Sequence, residues 1–173
     1  MAEVFTTPRL RVREWTHSES DLDRLYDIYS RWEVARWLGA TPKALESREL
    51  APAVVDRWAG RSDGPYGIWA VEVIDTNVVA GTVLLVTLPE STEVEVGWHF
   101  HPDSWGHGYA TEAARGAIER GFTVGGLDEI YAVVRPDNAP SIAVCRRLGM
   151  EALGRTDRWY DSSLEAFRLK AAG

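Results

Sequence analysis

Two glycines stand close together in the stretch Trp105-Gly106-His107-Gly108-Tyr109-Ala110-Thr111-Glu112. Residues 93–100 before this stretch alternate as a strand does, and residues 110–122 have helical composition. The glycines therefore lie in a turn that leads from a strand into a helix. The first turn of a helix has unpaired backbone N–H groups and a partial positive charge, and glycine lets a large anion approach them without a Cβ in the way. Such a turn is suited to hold a diphosphate through its backbone.

The same glycines come near to the dinucleotide-binding pattern G-x-G-x-x-G, with Thr111 at the last glycine position. That pattern follows the first strand of a parallel unit, whereas the strands before Gly106 are predicted to form an antiparallel meander. The acidic residue expected at the end of the next strand is also missing, since Arg135 stands there. Dinucleotide binding is therefore disfavoured, and a tight turn without a ligand remains the alternative to a diphosphate site.

The pattern on either side of the turn predicts an α/β domain of the mixed α+β type. Strands are predicted at residues 9–14, 68–74, 78–88, 93–100 and 129–134, with one or two more from Leu153, Trp159 and residues 164–169. Helices are predicted after caps at Ser18 or Ser20, at 32–38 ending at Gly39, at 45–58 with a break at Pro52, and at 140–148 ending at Gly149. Residues 75–77 predict a hairpin turn.

The composition is that of an ordinary globular protein. The 173 residues are 45% hydrophobic and 26% charged, which predicts one domain over residues 1–173 with a single core. The net charge is -7, and Lys and Arg form no cluster of the kind that binds phosphates, which argues against a nucleic-acid partner. An acidic balance suits a cationic substrate such as an amine.

Two features of the sequence predict a cytoplasmic protein without a membrane partner. No stretch approaches the roughly 20 apolar residues that cross a bilayer. Residues 1–8 lack the charged and apolar regions of a signal peptide. Cys145 is the only cysteine, so an intramolecular disulfide is excluded.

A second motif, Asn138-Ala139-Pro140-Ser141, lies at the start of the predicted helix that ends in Leu148-Gly149-Met150. Asn138 is able to cap this helix, and proline is well tolerated in a first turn. Alternatively, the Asn138 side chain bonds an extended ligand between the strands, and Ser141 faces the same ligand. Cys145 is expected in the core, as most free cysteines are.

These motifs resemble the two core motifs of the GNAT acetyltransferase superfamily, and most closely its RimJ/RimL-like branch. The segments Thr7-Pro8-Arg9-Leu10-Arg11-Val12-Arg13 and Glu95-Val96-Gly97-Trp98 resemble that branch as well. The resemblance extends over residues 7–170. It implies a central mixed, mostly antiparallel sheet of six to seven strands, splayed between strands 4 and 5 and flanked by about four helices.

The resemblance also implies acetyl-CoA (coenzyme A) as the cofactor, held in the splayed gap. Its pyrophosphate is then bound by backbone N–H groups of Gly106, His107, Gly108, Tyr109, Ala110 and Thr111. Its pantetheine arm is bound by the backbone of Trp98, His99 and Phe100, by Asn138 and by Ser141. Many family members have a tyrosine general acid where Cys145 stands, so Ser141 is our candidate to protonate the departing thiolate.

An amine with a pKa near ~10 is mostly protonated at neutral pH and attacks a thioester only after it loses a proton. We predict Glu95 as the general base, because it lies on the predicted strand at residues 93–100 where the family often has an acid. Glu93 shares the same face and is the second choice, and a solvent-facing strand carboxylate is the alternative for Glu95. The four histidines predict no metal site, since no third ligand accompanies His99 and His101.

The acceptor is expected between the first two helices and residues 154–163, where aromatic and acidic side chains suit a cation. Three functions remain open from the sequence. They are N-acetylation of a small-molecule amine, N-terminal acetylation of a protein or peptide, and acyl-CoA binding without catalysis. The resemblance to the family also implies a possible homodimer.

Overall fold

A mixed sheet of eight strands runs through residues 2–172, the part of the chain that the computed structural model describes. The strands are β1 (Glu3–Thr6), β2 (Leu10–Arg13), β3 (Gly67–Val73), β4 (Val79–Thr87), β5 (Val94–Phe100), β6 (Glu129–Val134), β7 (Glu151–Thr156) and β8 (Leu164–Lys170). The α-helices of this part of the chain are α1 (Glu19–Tyr29), α2 (Trp32–Ala35), α3 (Ala51–Ala59), α4 (Tyr109–Thr123) and α5 (Ala139–Arg147).

The order of strands in the sheet is β1-β2-β3-β4-β5-β6-β8-β7. Neighbouring strands are antiparallel except β5 and β6, which are parallel and share the single register pair Glu95↔Tyr131. On the other side of β5, seven register pairs join it to β4, from Gly81↔Phe100 to Thr87↔Val94. The sheet is therefore open between β5 and β6 beyond Glu95, which confirms the splay that the sequence predicted between its strands 4 and 5.

Two hydrophobic clusters hold the helices on the sheet. The larger one joins α4 and α5 to the sheet, through buried residues such as Ala113, Ala117 and Val144. The second joins α1 and α3 to the sheet, through residues such as Leu25, Val55 and Ala70. Because successive strand residues point to opposite faces, the two clusters form a three-layer arrangement with the gap in its middle layer.

Most predicted elements are present with shifted ends, and the mixed α/β class is confirmed. The sheet has eight strands rather than six to seven, because β1 pairs with β2 through a short edge segment that has no alternating pattern. The helix expected at 45–58 begins only at Ala51, with Pro52 in its first turn, so proline starts this helix instead of dividing it. The segment predicted at 32–38 is helical only over Trp32–Ala35, and Trp159 lies between β7 and β8 rather than in a strand.

Candidate active site

The gap between β5 and β6 opens into two adjoining cavities. A cleft of about 1460 Å³ runs along α4 and the start of α5 to the glycine turn. A smaller cavity of about 120 Å³ lies where the gap narrows, and Glu95 is part of its wall. The two cavities share the lining residues Trp37, Leu38, Trp98, His99, Asn138 and Ser141. The cleft and the cavity that contains Glu95 are therefore adjacent.

The glycine turn has the backbone conformation that its sequence predicted. Gly106 and Gly108 have φ angles of 80° and 78°, values that side chains rarely permit. Gly108 is the N-cap of α4 and has no side chain to bond the first N–H groups of that helix. The N–H groups at Tyr109, Ala110 and Thr111 therefore remain free for a ligand among the described residues.

Arg9 and Glu112 hold this turn from the side of β2. The Arg9 Nη1 donates to the His107 carbonyl at 2.8 Å, and its Nε donates to Glu112 Oε1 at 2.7 Å. The Thr7 hydroxyl donates to Glu112 Oε2 at 2.5 Å. Burial alone raises the pKa of Glu112, but the hydrogen bonds from Thr7 and Arg9 outweigh it and hold the pKa below its usual value. Glu112 is thus an ionised anchor whose two oxygens are engaged by Thr7 and Arg9.

The predicted cofactor-binding residues gather on the wall of the large cleft with one exception. The lining contains Trp98, His99, Phe100, Gly106, Gly108, Tyr109, Ala110, Thr111, Asn138 and Ser141. His107 does not line it, because its exposed ring stacks on Tyr109 at 5.2 Å between centroids. The backbone of β5 beyond Glu95 has no strand partner on the side of β6 and is free to bond an extended ligand.

Asn138 and Ser141 meet at the junction of the two cavities. The Asn138 Oδ1 accepts the Ser141 backbone N–H at 3.4 Å, so the capping role of Asn138 is present in the structure. The Trp98 Nε1 donates to the Ser141 Oγ at 3.2 Å. Because the Ser141 oxygen accepts this bond, the hydroxyl hydrogen stays available, and no described residue receives it.

Glu95 lies in the smaller cavity in an environment that makes its proton affinity high. The Tyr160 hydroxyl donates to its two oxygens at 3.2 and 3.4 Å. Burial raises the pKa of Glu95 to about 7, although the bond from Tyr160 and the charge of Arg61 act in the opposite direction. A carboxylate with a pKa near neutrality is suited to accept a proton and release it again. Glu93, the second choice, instead forms an ion pair with Arg158 and accepts the Ser91 hydroxyl at 3.2 Å.

His99 contributes a neutral ring to the wall. Its Nδ1 lies 3.0 Å from the Tyr29 hydroxyl, which itself donates to Thr82 Oγ1 at 2.7 Å. Since the one hydroxyl hydrogen of Tyr29 is directed to Thr82, the His99 Nδ1 must be the donor of that bond. Burial lowers the pKa of His99 to about 4, so the ring stays uncharged in the neutral range.

Cys145 and His101 lie outside both cavities. Cys145 is fully buried in the core as predicted, and burial raises the pKa of its thiol to about 12. The His101 Nε2 lies 2.8 Å from Asp27 Oδ2, and its Nδ1 accepts the Asp103 backbone N–H at 3.0 Å. Within residues 2–172, no group of three or more His, Cys, Asp or Glu side chains is arranged to hold a metal ion.

The sequence predicted catalytic roles for Glu95 and Ser141 but gave no role to their hydrogen-bond partners. Tyr160 was expected only as one of several aromatic residues near the acceptor, whereas its hydroxyl contacts Glu95 directly. Arg9 and Thr7 belonged to a motif without an assigned function. Alternation along β5 places Glu95 and Trp98, the residue that bonds Ser141, on opposite faces of the sheet, and this alternation was the available signal that Glu95 and Ser141 reach the gap from different sides.

Comparison with known proteins identifies the family. A family model described as an acetyltransferase (GNAT) domain matches residues 9–151. This chain belongs to the GNAT acetyltransferase family. It is 30% identical over 156 residues to the protein named uncharacterized N-acetyltransferase YoaA of Bacillus subtilis, covering 89% of this chain and 86% of that protein. It is 28% identical to the N-acetyltransferase YnaD of the same organism, covering 90% and 91%.

Solved structures of GNAT proteins have the same fold. An acetyltransferase (GNAT family) from Bacillus anthracis superposes with a TM-score of 0.76 at 23% identity, covering 94% of each chain. The Mycobacterium smegmatis RimJ, in complex with CoA-disulfide, superposes with a TM-score of 0.77 at 18% identity, covering 94% of this chain and 82% of its own. No helix within residues 2–172 is long and apolar enough to span a membrane.

Proposed function

We propose that this GNAT acetyltransferase moves the acetyl group of acetyl-CoA to a primary amine of a small molecule, by direct attack while both are bound. The observation that carries the proposal is the junction of the two cavities. The large cleft leads from the free N–H groups of the glycine turn to Ser141, and the smaller cavity continues from there to Glu95. Donor and acceptor are thereby able to meet at one point.

The residues of the large cleft fit coenzyme A. The first turn of α4 offers uncapped N–H groups to a diphosphate, and the φ of 78° at Gly108 favours glycine at its N-cap. The open edge of β5 offers backbone groups to the amides of an extended arm. When bound, acetyl-CoA supplies an acetyl group activated as a thioester.

We assign to Glu95 the role of accepting the proton of the acceptor amine. A cationic amine needs a base that is ionised at neutral pH and close to the gap, and Glu95 meets both conditions above its pKa of about 7. His99 does not compete for this role, since its pKa of about 4 makes it a much weaker base. Glu95 is the acidic side chain among the residues that line the smaller cavity, and it is therefore the candidate base there.

We assign to Ser141 the role of donating a proton to the departing thiolate. Its oxygen is held by the Trp98 indole, and its hydrogen is free to point into the gap. Glu95 and Ser141 reach the gap from opposite faces of the sheet, because Trp98 and Glu95 point to different sides of β5. A base on one side and a proton donor on the other match the direction of attack on the thioester.

The size of the smaller cavity favours a slender acceptor. At about 120 Å³, it has room for an amine and a few carbon atoms beside the acetyl group. Trp37, Leu38 and Tyr160 form part of its wall and limit the bulk next to the nitrogen. We therefore prefer a small-molecule amine to the N-terminus of a peptide, whose α-carbon is branched.

Calorimetric titration with acetyl-CoA tests the cofactor and its site. We expect one-to-one binding by the wild type and none by Gly108→Trp, whose side chain would fill the glycine turn. The matched control is Gly126→Trp, since Gly126 also has a positive φ of 62° but lies outside both cavities. No binding by the folded wild type would contradict the proposal.

Thiol release from acetyl-CoA then identifies the acceptor class. The panel contains tyramine, spermidine and putrescine, whose amines are on unbranched carbons, on one side, and peptides with free N-termini on the other. Turnover with small amines supports the proposal, and turnover confined to the peptides assigns the N-terminal alternative. Binding of acetyl-CoA without turnover in either panel would leave a binding module without catalysis.

A further inference from the structure

Residues 157–163, between β7 and β8, contact the sheet at the point where the gap closes. Arg158 forms an ion pair with Glu93, the residue just before β5. The Trp159 ring meets Tyr131 of β6 edge-on at 5.3 Å between centroids. Tyr160 donates to Glu95, the residue that pairs with Tyr131 in the sheet. Arg158, Trp159 and Tyr160 thus attach this segment to the sheet beside Glu95↔Tyr131, the one register pair that joins β5 to β6.

The Tyr160 hydroxyl is placed to control the orientation of the carboxylate. It donates between the two Glu95 oxygens, at 3.2 and 3.4 Å, from a half-buried position in the wall of the smaller cavity. A carboxylate is free to rotate about its last bond unless a donor holds it. Among the described residues, only the Tyr160 side chain forms a hydrogen bond with the Glu95 carboxylate. No second hydrogen bond therefore fixes the orientation of that carboxylate.

We propose that Tyr160 is the positioning residue of the general base, holding the Glu95 carboxylate toward the acceptor cavity and favouring its ionised form. This inference rests on the proposed function, in which Glu95 accepts the proton of the amine. The hydrogen bond favours the ionised form because a phenol hydroxyl donates to an anion more strongly than to a neutral acid. Without it, burial would keep Glu95 protonated further into the alkaline range, even with the charge of Arg61 in place.

The other charged groups near Glu95 come from several elements. Arg61, which follows α3, acts on Glu95 through its positive charge. His99 of β5 and Arg135 after β6 line the same cavity, and the Arg135 Nη2 donates to the Gly39 carbonyl at 2.6 Å. Glu93 and Arg158 form their own ion pair, and the Tyr131 hydroxyl donates to Glu129 at 2.9 Å. Replacing Tyr160 by Phe leaves all of these groups in place.

The direct test is an NMR titration of the Glu95 carboxyl carbon in the protein alone, with Glu95→Gln used to assign the signal. We expect a midpoint near 7 in the wild type and a midpoint roughly 1 pH unit higher in Tyr160→Phe. Trp159→Phe is the control, because it weakens the attachment of the same segment but retains the hydroxyl. A midpoint in Tyr160→Phe equal to that of the wild type would overturn the inference.

The pH profile of kcat/KM, measured with the panel amine of highest turnover, gives a second readout. A shift of one unit lowers the ionised fraction of Glu95 roughly fivefold at pH 7 and hardly at pH 9, so the loss in Tyr160→Phe should shrink with rising pH. A loss of the same size at every pH would indicate a structural role only and contradict the inference. A wild-type profile without an acid limb near pH 7 would refute Glu95 as the base, which is a failure of the proposed function itself.

Discussion

The Arg9 Nε lies 2.7 Å from Glu112 Oε1 and ties the start of β2 to the first turn of α4. A carboxylate in the first turn of a helix that is proposed to bind a diphosphate would repel its ligand if it faced the same way. Glu112 avoids this conflict, because Thr7 and Arg9 draw its oxygens toward β2. The Thr7-Pro8-Arg9 motif, which lines the same cleft, therefore supports the glycine turn through Glu112 and the His107 carbonyl.

Glu112→Gln tests this tie. The variant loses the charge of the pair with Arg9, and we expect acetyl-CoA affinity to fall several-fold and the free energy of unfolding to fall by about 1 kcal/mol. Calorimetry and denaturant unfolding measure the two effects. The control is Glu165→Gln, which removes the similar pair of Arg155 and Glu165 at 2.9 Å, far from the cleft. Unchanged affinity in Glu112→Gln would show that the turn needs no support from β2.

Glu95→Gln should lower turnover by roughly 10²-fold at pH 7, since the amide cannot take a proton from the amine. The loss should be smaller at pH 9, where more of the amine is already neutral. Initial rates of thiol release at both pH values measure the effect. Glu93→Gln serves as the comparison, because its carboxylate is engaged with Arg158. An identical loss at pH 7 and pH 9 would argue against Glu95 as the base.

The same substitution should stabilise the protein at alkaline pH. Burial raises the folded-state pKa of Glu95 to about 7 from 4.5, so the folded state holds the proton more tightly than the unfolded chain does. Wild-type stability therefore falls as pH rises from 4.5 to 7, by an amount of order 1–3 kcal/mol that stays lost above pH 7. Gln carries no such cost, so urea unfolding at pH 8 should show a more stable variant, with the difference vanishing near pH 4. A variant less stable than wild type at pH 8 would contradict this origin of the shift.

Ser141→Ala should reduce turnover more than it reduces acetyl-CoA affinity. The hydroxyl is proposed to donate to the thiolate as it leaves, an interaction that develops only during the reaction. The change also leaves the Trp98 indole without its acceptor, so a Ser141→Thr variant, which restores an oxygen, is the appropriate comparison. We expect kcat to fall by about tenfold or more with little change in calorimetric affinity. Wild-type kcat in Ser141→Ala would remove Ser141 from the mechanism.

Cys145→Ala should retain full turnover. The Cys145 thiol is fully buried in the core and has a raised pKa, so it has neither the access nor the ionisation of a reactive cysteine. The substitution leaves a small void and should lower the free energy of unfolding by about 1–2 kcal/mol. For the same reason, iodoacetamide should not alkylate the folded wild type. Inactivation by the reagent, measured together with mass spectrometry, would contradict this picture.

Local patterns predicted the parts of the fold that depend on neighbouring residues. The buried strand at 129–134 is present as Glu129–Val134, and the helix after the glycine turn, expected at 110–122, is present as Tyr109–Thr123. Alternation and composition are short-range signals, and glycines at positive φ mark turns wherever they stand. The resemblance to a family added the gap between β5 and β6, which no pattern within either strand encodes.

Contacts between distant residues were beyond prediction from the sequence. Tyr160 and Glu95 are 65 residues apart, and Arg9 and Glu112 are 103 apart. Such pairs form only after the sheet has assembled, and they leave no periodic trace. The pKa of Glu95 depends on its burial beside residues 157–163, so the sequence predicted the carboxylate but not the environment that raises its pKa.

The single register pair between β5 and β6 leaves two sheet edges facing each other inside the molecule. Exposed edges commonly recruit strands from other chains and lead to aggregation. Here the two edges are enclosed, since Arg135, just after β6, lines the smaller cavity beside them and donates to the Gly39 carbonyl at 2.6 Å. The edges left for pairing with another chain are therefore the outer ones, at β1 and β7, and both are short strands of four and six residues.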